Sequence, residues 1–355
     1  MDSIISIDIE ILNNILEKSY RKKQIDHFLY KKATLSFDFM YNLPKDIREL
    51  LKNKFKILSL KLEKESKSID GTIKFLFRLD DDNFIESVYL KDINNRITFC
   101  ISSQVGCRMG CIFCKTGEMG FKRNLTVSEI VSQVLYMFSI MKSDSDVIDT
   151  SFNIVFMGMG EPLDNFDNVV EAIKIFIDKE KFGLSQNRIT ISTCGIIDKI
   201  IPLTEKFPNI NIALSLITAN QEKRDKIMPI SKKFSIYDIV TILKEYYNRR
   251  KNRITLEYVM IKDFNIGKDD IELLRKFKKE IFHINLIPLN FESEFCKKPS
   301  ENEIKYFYKA LLKDGFIVTI RYKRGEDING ACGMLFSKEH FTRNDADGYF
   351  PPNNF

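Results

Sequence analysis

Cys107-Arg-Met-Gly-Cys111-Ile-Phe-Cys114 places three cysteines within eight residues, directly after a segment with the pattern of a β-strand. Thiolates are soft ligands, so three of them on one short loop indicate zinc or an iron–sulfur cluster. A structural zinc site requires four protein ligands, whereas three cysteines leave one iron of a four-iron cluster open. The alternative is a chance grouping in a turn, but free cysteines are ordinarily scattered and buried.

Apolar strands alternate with amphipathic helices around this loop. The strands are predicted at 98–103, 153–157, 188–193, 211–216, 254–260, 283–288 and 317–322. The helices are predicted at 127–141, 168–177, 236–247, 270–279 and 302–313. Thr126-Val-Ser-Glu129 predicts a capping box at the first of these helices. Six or seven β-α units in series predict a parallel sheet with helices outside it, arranged as a closed or partly closed barrel or as a doubly wound sheet.

The first 80 residues have a different pattern. Helical periodicity is present at 11–16, 28–30 and 47–55, and Pro44 precedes the last of these segments as a helix start. Alternating segments at 72–77 and 84–89 flank a turn at 80–83, which predicts a β-hairpin. We therefore predict an accessory domain at 1–80, a barrel with a short β extension at 81–335, and a tail at 336–355.

The composition of the 355 residues is that of a globular protein, with 44% hydrophobic and 29% charged residues. The 29 Phe and 13 Tyr exclude wholesale disorder. The N-terminus is acidic where a signal peptide is basic, and no apolar run approaches the roughly 18–20 residues that span a bilayer. A cytoplasmic location without membrane contact is expected. The net charge of +6 permits a polyanionic partner.

Functional groups of a parallel barrel lie at the carboxyl ends of its strands. Gly158-Met-Gly160-Glu161 follows the second strand, where glycines allow a close backbone approach and a carboxylate can pair with an ammonium group. Ser192, Ser215 and Asn290 end three other strands. Taken alone, each of these polar side chains would more often be a strand-end cap.

Several segments in a fixed order resemble the RlmN/Cfr family of radical S-adenosylmethionine (SAM) RNA methyltransferases. Besides the three-cysteine loop, the segments are Cys100-Ile-Ser-Ser-Gln-Val-Gly-Cys107, Gly120-Phe-Lys-Arg-Asn-Leu-Thr-Val-Ser-Glu-Ile130, Phe156-Met-Gly-Met-Gly-Glu-Pro162, Arg188-Ile-Thr-Ile-Ser-Thr193, Ile284-Asn-Leu-Ile-Pro-Leu-Asn290 and Arg324-Gly-Glu-Asp-Ile-Asn-Gly-Ala-Cys-Gly333. The resemblance extends from about residue 20 to residue 335. It implies a partial (β/α)6 radical-SAM barrel.

The resemblance implies methylation of an adenine ring carbon in 23S ribosomal RNA, and in RlmN enzymes also in tRNA. It also implies a 4Fe-4S cluster and two SAM molecules per turnover. Radical chemistry is needed because the sp2 carbon is too unreactive for ordinary methyl transfer. A flavodoxin-type electron donor and a monomer are expected on the same basis. Arg324-Gly325 resembles RlmN more than Cfr, which favours carbon C2 over C8.

The family's cofactor contacts carry over residue by residue. Cys107, Cys111 and Cys114 match the cluster ligands, and Gly160 with Glu161 matches the segment that contacts the methionine amino group of SAM. The remaining matches to cofactor contacts are Ser192, Ser215, Leu216, Ile217 and Asn290. The family has histidine where this chain has Ile217, so only a backbone contact could be kept there.

Three residues match the family's catalytic groups. Cys332 matches the cysteine that first accepts a methyl group and then forms a covalent adduct with RNA. Cys100 matches the cysteine that attacks Cys332, forming a disulfide and releasing the product. Glu86 matches the proposed base. Without the resemblance, Cys332 would be interpreted as a small buried residue and Glu86 as part of a solvated strand face.

Other functions remain open from the sequence. The nearest is Cfr-type methylation of C8, which confers antibiotic resistance. A degenerate paralogue that binds RNA without methylating it is a second alternative, because glutamine beside the methyl-carrying cysteine is replaced by Met334. A zinc-binding RNA module is the third. Cys194 is interpreted as a core residue and Cys296 as an incidental loop thiol.

Overall fold

The computed structural model describes residues 1–7, 9–16, 18–144, 151–290, 292–321, 324–330 and 332–335. Its strands are β1 (Asp2–Ser3), β2 (Phe55–Lys56), β3 (Lys61–Lys67), β4 (Ile73–Arg78), β5 (Phe84–Lys91), β6 (Ile97–Cys100), β7 (Gln104–Gly106), β8 (Phe121–Asn124), β9 (Phe152–Phe156), β10 (Ile189–Thr193), β11 (Asn211–Ser215), β12 (Ile254–Met260), β13 (Phe282–Pro288) and β14 (Ile317–Ile320). Its α-helices are α1 (Ile9–Leu16), α2 (Ser19–Asp26), α3 (Lys45–Lys54), α4 (Lys115–Glu118), α5 (Val127–Ser143), α6 (Phe166–Ile177), α7 (Ile197–Lys206), α8 (Gln221–Ile227), α9 (Ile236–Arg250), α10 (Lys268–Leu274) and α11 (Glu301–Lys313). The predicted tail at 336–355 lies outside the described residues.

A ten-stranded sheet organises the molecule, in the order β14-β13-β12-β11-β10-β9-β6-β5-β4-β3. Its seven strands from β6 to β14 pair in parallel, and helices connect them as six β-α units followed by a last strand. Strands β3, β4 and β5 continue the sheet in antiparallel fashion. The prediction of an α/β partial barrel with a short β extension is confirmed.

The parallel strands have two distinct faces. In β10, Ile189, Ile191 and Thr193 are buried against the surrounding helices, whereas Thr190 and Ser192 are partly exposed. Residues of a strand alternate between faces, so the second set points into the barrel. The polar groups of the candidate site therefore share the inner face, and the apolar core lies between the sheet and its helices.

Helix α5 begins as the sequence predicts. The Thr126 side chain accepts the Glu129 backbone N–H, and the Glu129 carboxylate accepts the Thr126 N–H, which completes the capping box. The helix extends to Ser143 and buries most of its length against the sheet. No helix in the described ranges is both long and apolar enough to cross a membrane.

The N-terminal helices pack onto the same core as the barrel. Leu16, Leu29 and Leu51 are almost fully buried and join one apolar cluster with the barrel strands. A π-helical turn, His27–Lys31, follows α2 where helical residues were predicted. The domain boundary at residue 80 stays a prediction. Strands β3 and β4 belong to the main sheet although both precede residue 80 in the sequence.

Candidate active site

The three-cysteine loop is framed by a small antiparallel pair, β7 and β8. The Cys107 backbone N–H donates to the Gly120 carbonyl at 2.7 Å, closing the frame. A Cβ at Gly106 would lie 1.9 Å from the same oxygen, so no other residue fits there without a shift. The hairpin therefore fixes both ends of the loop before any ligand binds.

One open cavity collects most of the predicted site. The predicted residues that line it are Cys107, Cys111, Cys114, Gly160, Glu161, Ser192, Ser215, Ile217, Asn290 and Cys332. They come from the cysteine loop and from the carboxyl ends of five strands and the segments after them. Sequence positions more than 200 apart are thus brought together at one end of the barrel.

The donor set fits a multi-iron cluster. In the part of the chain that the structure describes, no three His, Cys, Asp or Glu side chains converge closely enough to hold a single metal ion. Cys107, Cys111 and Cys114 instead surround a shared cavity, as ligands on different corners of an iron–sulfur cluster do. Burial raises the pKa of the Cys107 thiol to about 12, so binding of iron and release of the thiol protons would be coupled.

The Gly158–Glu161 segment forms a close cradle beside the thiols. A Cβ at Gly158 would lie 2.6 Å from the Ile101 carbonyl oxygen, and one at Gly160 would lie 2.5 Å from Gln104 Cβ. Gly160 also has φ +96°, which side chains rarely adopt. Glycine is therefore needed at both positions to bring the backbone against the cavity.

Glu161 is a buried carboxylate at the cavity wall. Its Oε1 accepts the Leu163 N–H at 3.0 Å, and its Oε2 accepts the Cys194 N–H at 2.8 Å. Burial raises the pKa of Glu161, and these hydrogen bonds oppose that rise. The side chains of Cys194 and Thr193 also hydrogen bond to this carboxylate. Because Glu161 lines the cavity, its negative charge can attract an ammonium group that arrives there.

The strand-end residues take different positions. Ser192 and Ser215 line the cavity, and Asn290 Nδ2 donates to the Cys332 carbonyl at 2.6 Å. Leu216 does not line the cavity: its side chain is fully buried in the main core. The structure therefore brings together all the predicted cofactor contacts except Leu216.

Ile217 adopts the left-handed backbone region with φ +64°. Its N–H donates to the Glu257 carbonyl at 3.1 Å, and its carbonyl accepts Asn265 Nδ2 at 2.7 Å. The side chain packs in an apolar cluster with Met109 and Met228. Two backbone hydrogen bonds thus hold a conformation that is unfavourable for a β-branched residue.

Cys332 also lines a second open cavity, inside the barrel. Cys100 lines this second cavity but not the first. Burial raises the pKa of Cys100 to about 12, and the nearby Cys332 contributes to the rise while Arg321 opposes it. Cys332 therefore lines one cavity with the cluster loop and the other with Cys100, the second predicted catalytic cysteine.

Glu86 lies beside the second cavity on β5. It is 3% exposed, and its carboxylate forms an ion pair with Lys74 Nζ at 2.8 Å. Val88, two residues along the same strand face, lines the second cavity and pairs with Cys100 in the sheet. Glu86 itself lines neither cavity; it lies two residues before Val88 on β5, the strand that pairs with the strand of Cys100.

Sequence reasoning missed three residues of the site. Glu257 and Arg321 line both cavities, and Cys194 lines the first beside the cluster cysteines. A signal for Glu257 exists, because it is a lone carboxylate within the apolar strand β12. Cys194 is buried in the apolar cluster around Ile217, as its interpretation as a core residue predicts, and it also lines the cavity. Cys296, interpreted as a loop thiol, is buried in the same cluster.

Two family models match the chain. The model of the radical SAM superfamily matches residues 101–277, and the model described as the ribosomal RNA large subunit methyltransferase N-terminal domain matches residues 10–57. The first match covers the barrel from the end of β6 to α10, and the second covers the N-terminal helices α1 to α3.

Curated relatives match over almost the whole chain. The probable dual-specificity RNA methyltransferase RlmN of Clostridium novyi (strain NT) is 39% identical over 351 residues, covering 97% of this chain and 100% of that protein. The dual-specificity RNA methyltransferase RlmN of Aliarcobacter butzleri (strain RM4018) is 38% identical, with 96% and 97% covered. A crystal structure of a radical SAM methyltransferase from Sphaerobacter thermophilus superimposes with a TM-score of 0.87 at 34% identity, covering 94% of this chain and 99% of that one.

Proposed function

Because the chain belongs to the RlmN family of radical SAM RNA methyltransferases, we propose that it methylates carbon C2 of an adenine in 23S ribosomal RNA and in tRNA. The relatives' dual specificity supports both RNA substrates. One structural observation carries the proposal: Cys332 lines the cavity of the three cluster cysteines and also the cavity of Cys100.

Cys107, Cys111 and Cys114 would hold a 4Fe-4S cluster, and the cradle at Gly160 and Glu161 would hold the methionine end of SAM. When bound, these groups supply the methyl group and the one-electron chemistry that an unreactive ring carbon requires. The protein orients them through the fixed hairpin frame and the strand-end side chains. Asn290 holds the Cys332 backbone towards this cavity.

Cys332 would carry the methyl group to the adenine through a thioether linkage. Because Cys332 lines both cavities, its sulfur could be methylated from the cavity of the cluster cysteines and could contact RNA in the second cavity. The target base must leave its stack to reach a sulfur that lines these two cavities. We place the adenine in or beside the second cavity, within reach of Cys332 and of the strand that bears Glu86.

Glu86 and Cys100 would complete the reaction. The Glu86 carboxylate, paired with Lys74, would take the proton from the adenine carbon in the covalent adduct. The Cys100 thiolate would then attack the Cys332 sulfur, forming the S–S bond and breaking the S–C bond, and the released methylene carbon would take up a proton to become the methyl group of the RNA. The same proposal includes two SAM molecules per turnover, a flavodoxin-type electron donor and a monomeric enzyme.

The test is nucleoside mass mapping of ribosomal RNA and tRNA from a host that lacks its own enzyme of this type. The host expresses the intact protein, Cys332→Ala or Cys296→Ala as a control that removes a buried cysteine outside both cavities. We expect 2-methyladenosine with the intact and control proteins only. 8-Methyladenosine would reassign the carbon, and neither product from a folded, cluster-loaded protein would overturn the proposal.

A further inference from the structure

Arg224 of α8 is a fully buried guanidinium beneath the site. Its Nε donates to the Leu216 carbonyl at 3.2 Å, and its Nη2 donates to the carbonyls of Cys194 at 2.7 Å and Ser215 at 3.1 Å. These carbonyls lie at or just after the ends of β10 and β11. One side chain therefore ties together the two strand ends that present Ser192 and Ser215.

The same guanidinium is incompletely satisfied. Among the described residues, Nη1 is buried without a hydrogen-bond partner, and no carboxylate forms an ion pair with Arg224. Burial lowers the pKa of this group, yet arginine stays charged in proteins. Asp225 attracts this charge electrostatically but forms no ion pair with it among the described residues. A buried charge without a close partner is strongly unfavourable, so the unused Nη1 donor favours a further anionic acceptor beside it.

The cysteine loop packs against the helix that bears Arg224. The Ile112 N–H donates to the Ile227 carbonyl at the end of α8 at 3.2 Å, and a Cβ at Gly110 would contact Pro229 just beyond it. Arg224 also interacts electrostatically with Cys111. The missing anion is therefore expected on the side of the cluster loop.

We propose that Arg224 is a positioning residue for the iron–sulfur cluster, with Nη1 donating to sulfur at the Cys111 corner and the guanidinium charge stabilising the reduced cluster. The inference rests on the cofactor assigned in the proposed function. Three thiolates leave a four-iron cluster negatively charged, and one-electron reduction adds to that charge. A nearby buried cation favours the reduced form. The three hydrogen bonds from Arg224 to backbone carbonyls would hold Ser192 and Ser215 in place relative to the cluster.

The first test is an EPR-monitored redox titration of the reconstituted full chain as wild type, Arg224→Gln and Arg224→Lys. The matched control is Lys223→Gln, which removes a neighbouring positive charge that is already paired with Asp270. We expect a more negative midpoint potential for Arg224→Gln, and values close to wild type for Arg224→Lys and the control. Equal potentials in all four proteins, at equal iron content, would overturn the charge role.

A second measurement does not depend on how Arg224→Gln folds. Wild-type protein labelled with 15N-arginine should show a weak 15N coupling to the reduced cluster in pulsed EPR. The coupling should survive Arg108→Lys in the cluster loop and disappear in Arg224→Lys. An absent coupling in wild type would overturn the inference. Neither measurement uses RNA, so loss of methylation with these results intact would fault only the proposed function.

Discussion

At the scale of single residues, the site depends on groups held in unfavourable states. Glu161 is a buried carboxylate, and Ile217 is a β-branched residue in a left-handed conformation. Such features persist only where the surroundings fix them, and they concentrate at functional sites. Sequence patterns could indicate Glu161 through its glycine neighbours, but the backbone angle of Ile217 depends on Glu257 and Asn265, which are distant in sequence.

Because Ile217 is strained, we expect its replacement by glycine to lower the free energy of unfolding less than the same replacement at an unstrained buried isoleucine. Ile217→Gly removes a buried side chain but relieves the left-handed penalty of about 1–2 kcal/mol. Ile191→Gly, in β10, removes an equally buried side chain with no such relief. We expect Ile217→Gly to lower the free energy of unfolding by about 1–2 kcal/mol less than Ile191→Gly, measured by urea unfolding. An equal or larger loss at Ile217 would argue against strain.

At the scale of elements, the sequence predicts those strands and helices whose apolar residues recur with a regular period. The strand predicted at 254–260 is observed with those bounds, and α9 and α11 begin within one residue of their predicted starts. Helix α7 was missed because Pro202 lies inside it. Strand β3 was missed because its Lys-Leu-Glu-Lys-Glu-Ser-Lys sequence lacks apolar alternation and is stabilised by pairing with β4 instead. Helix α10 ends at Leu274, before its predicted end at 279.

One residue of α5 connects three elements of the site. The Gln133 side chain accepts the Ser102 N–H and the Ser87 hydroxyl, and it donates to the Ser102 and Glu129 carbonyls. Ser87 adjoins Glu86, and Ser102 lies two residues after Cys100. Gln133 therefore fixes the strand of the proposed base relative to the strand of Cys100, the proposed second catalytic cysteine.

Gln133→Leu is predicted to be strongly destabilising. It leaves the Ser102 N–H, the Ser102 carbonyl and the Ser87 hydroxyl buried without this partner, at about 1–3 kcal/mol for each group. We expect a loss of about 3 kcal/mol or more in the free energy of unfolding. Ser139→Ala on the same helix, which removes one partly buried bond, should cost below about 1 kcal/mol. Similar losses for both variants would contradict the network.

Arg123 links the β4–β5 turn to the start of α5, and this link predicts a pH effect. Its hydrogen bond lowers the pKa of Asp81 from 3.8 to about 2. Because the folded pKa lies below the unfolded value, the stabilisation is complete above about pH 4 and is lost as the pH falls towards 2.

The variant Asp81→Asn should therefore be less stable than wild type at pH 6, and the difference should shrink as the pH falls below 4. Asp81 is partly exposed, so we expect a difference below about 1 kcal/mol after solvent screening. Urea unfolding between pH 6 and pH 3 measures it. A difference that is constant over this range, or that grows on acidification, would contradict the ion pair.

At the scale of the whole molecule, the fold creates a site that no single segment contains. The three-cysteine loop and the resemblance predict the cofactors, because their motifs are local. The two cavities that share Cys332 could not be predicted, since they depend on how β6, β12 and β14 curve around a common interior. Arg224 carried no sequence signal at all, because a buried arginine within a charged helix looks like a surface residue.

The modest positive charge of the whole chain predicts salt-sensitive RNA binding. With a net charge of +6, contact with three or more phosphates would lower the affinity for tRNA about tenfold or more between 50 and 200 mM salt. Fluorescence anisotropy with labelled tRNA measures this dependence. An affinity that does not change with salt would mean that phosphate contacts contribute little.

The open sheet ends at β3 in the described part of the chain. Its seven residues include three lysines and two glutamates, and nearly all of them are exposed. A free strand edge is a template for pairing between molecules, but an incoming strand would have to desolvate these charges. The charged edge therefore lets a wide, unclosed sheet persist at high protein concentration without templating aggregates.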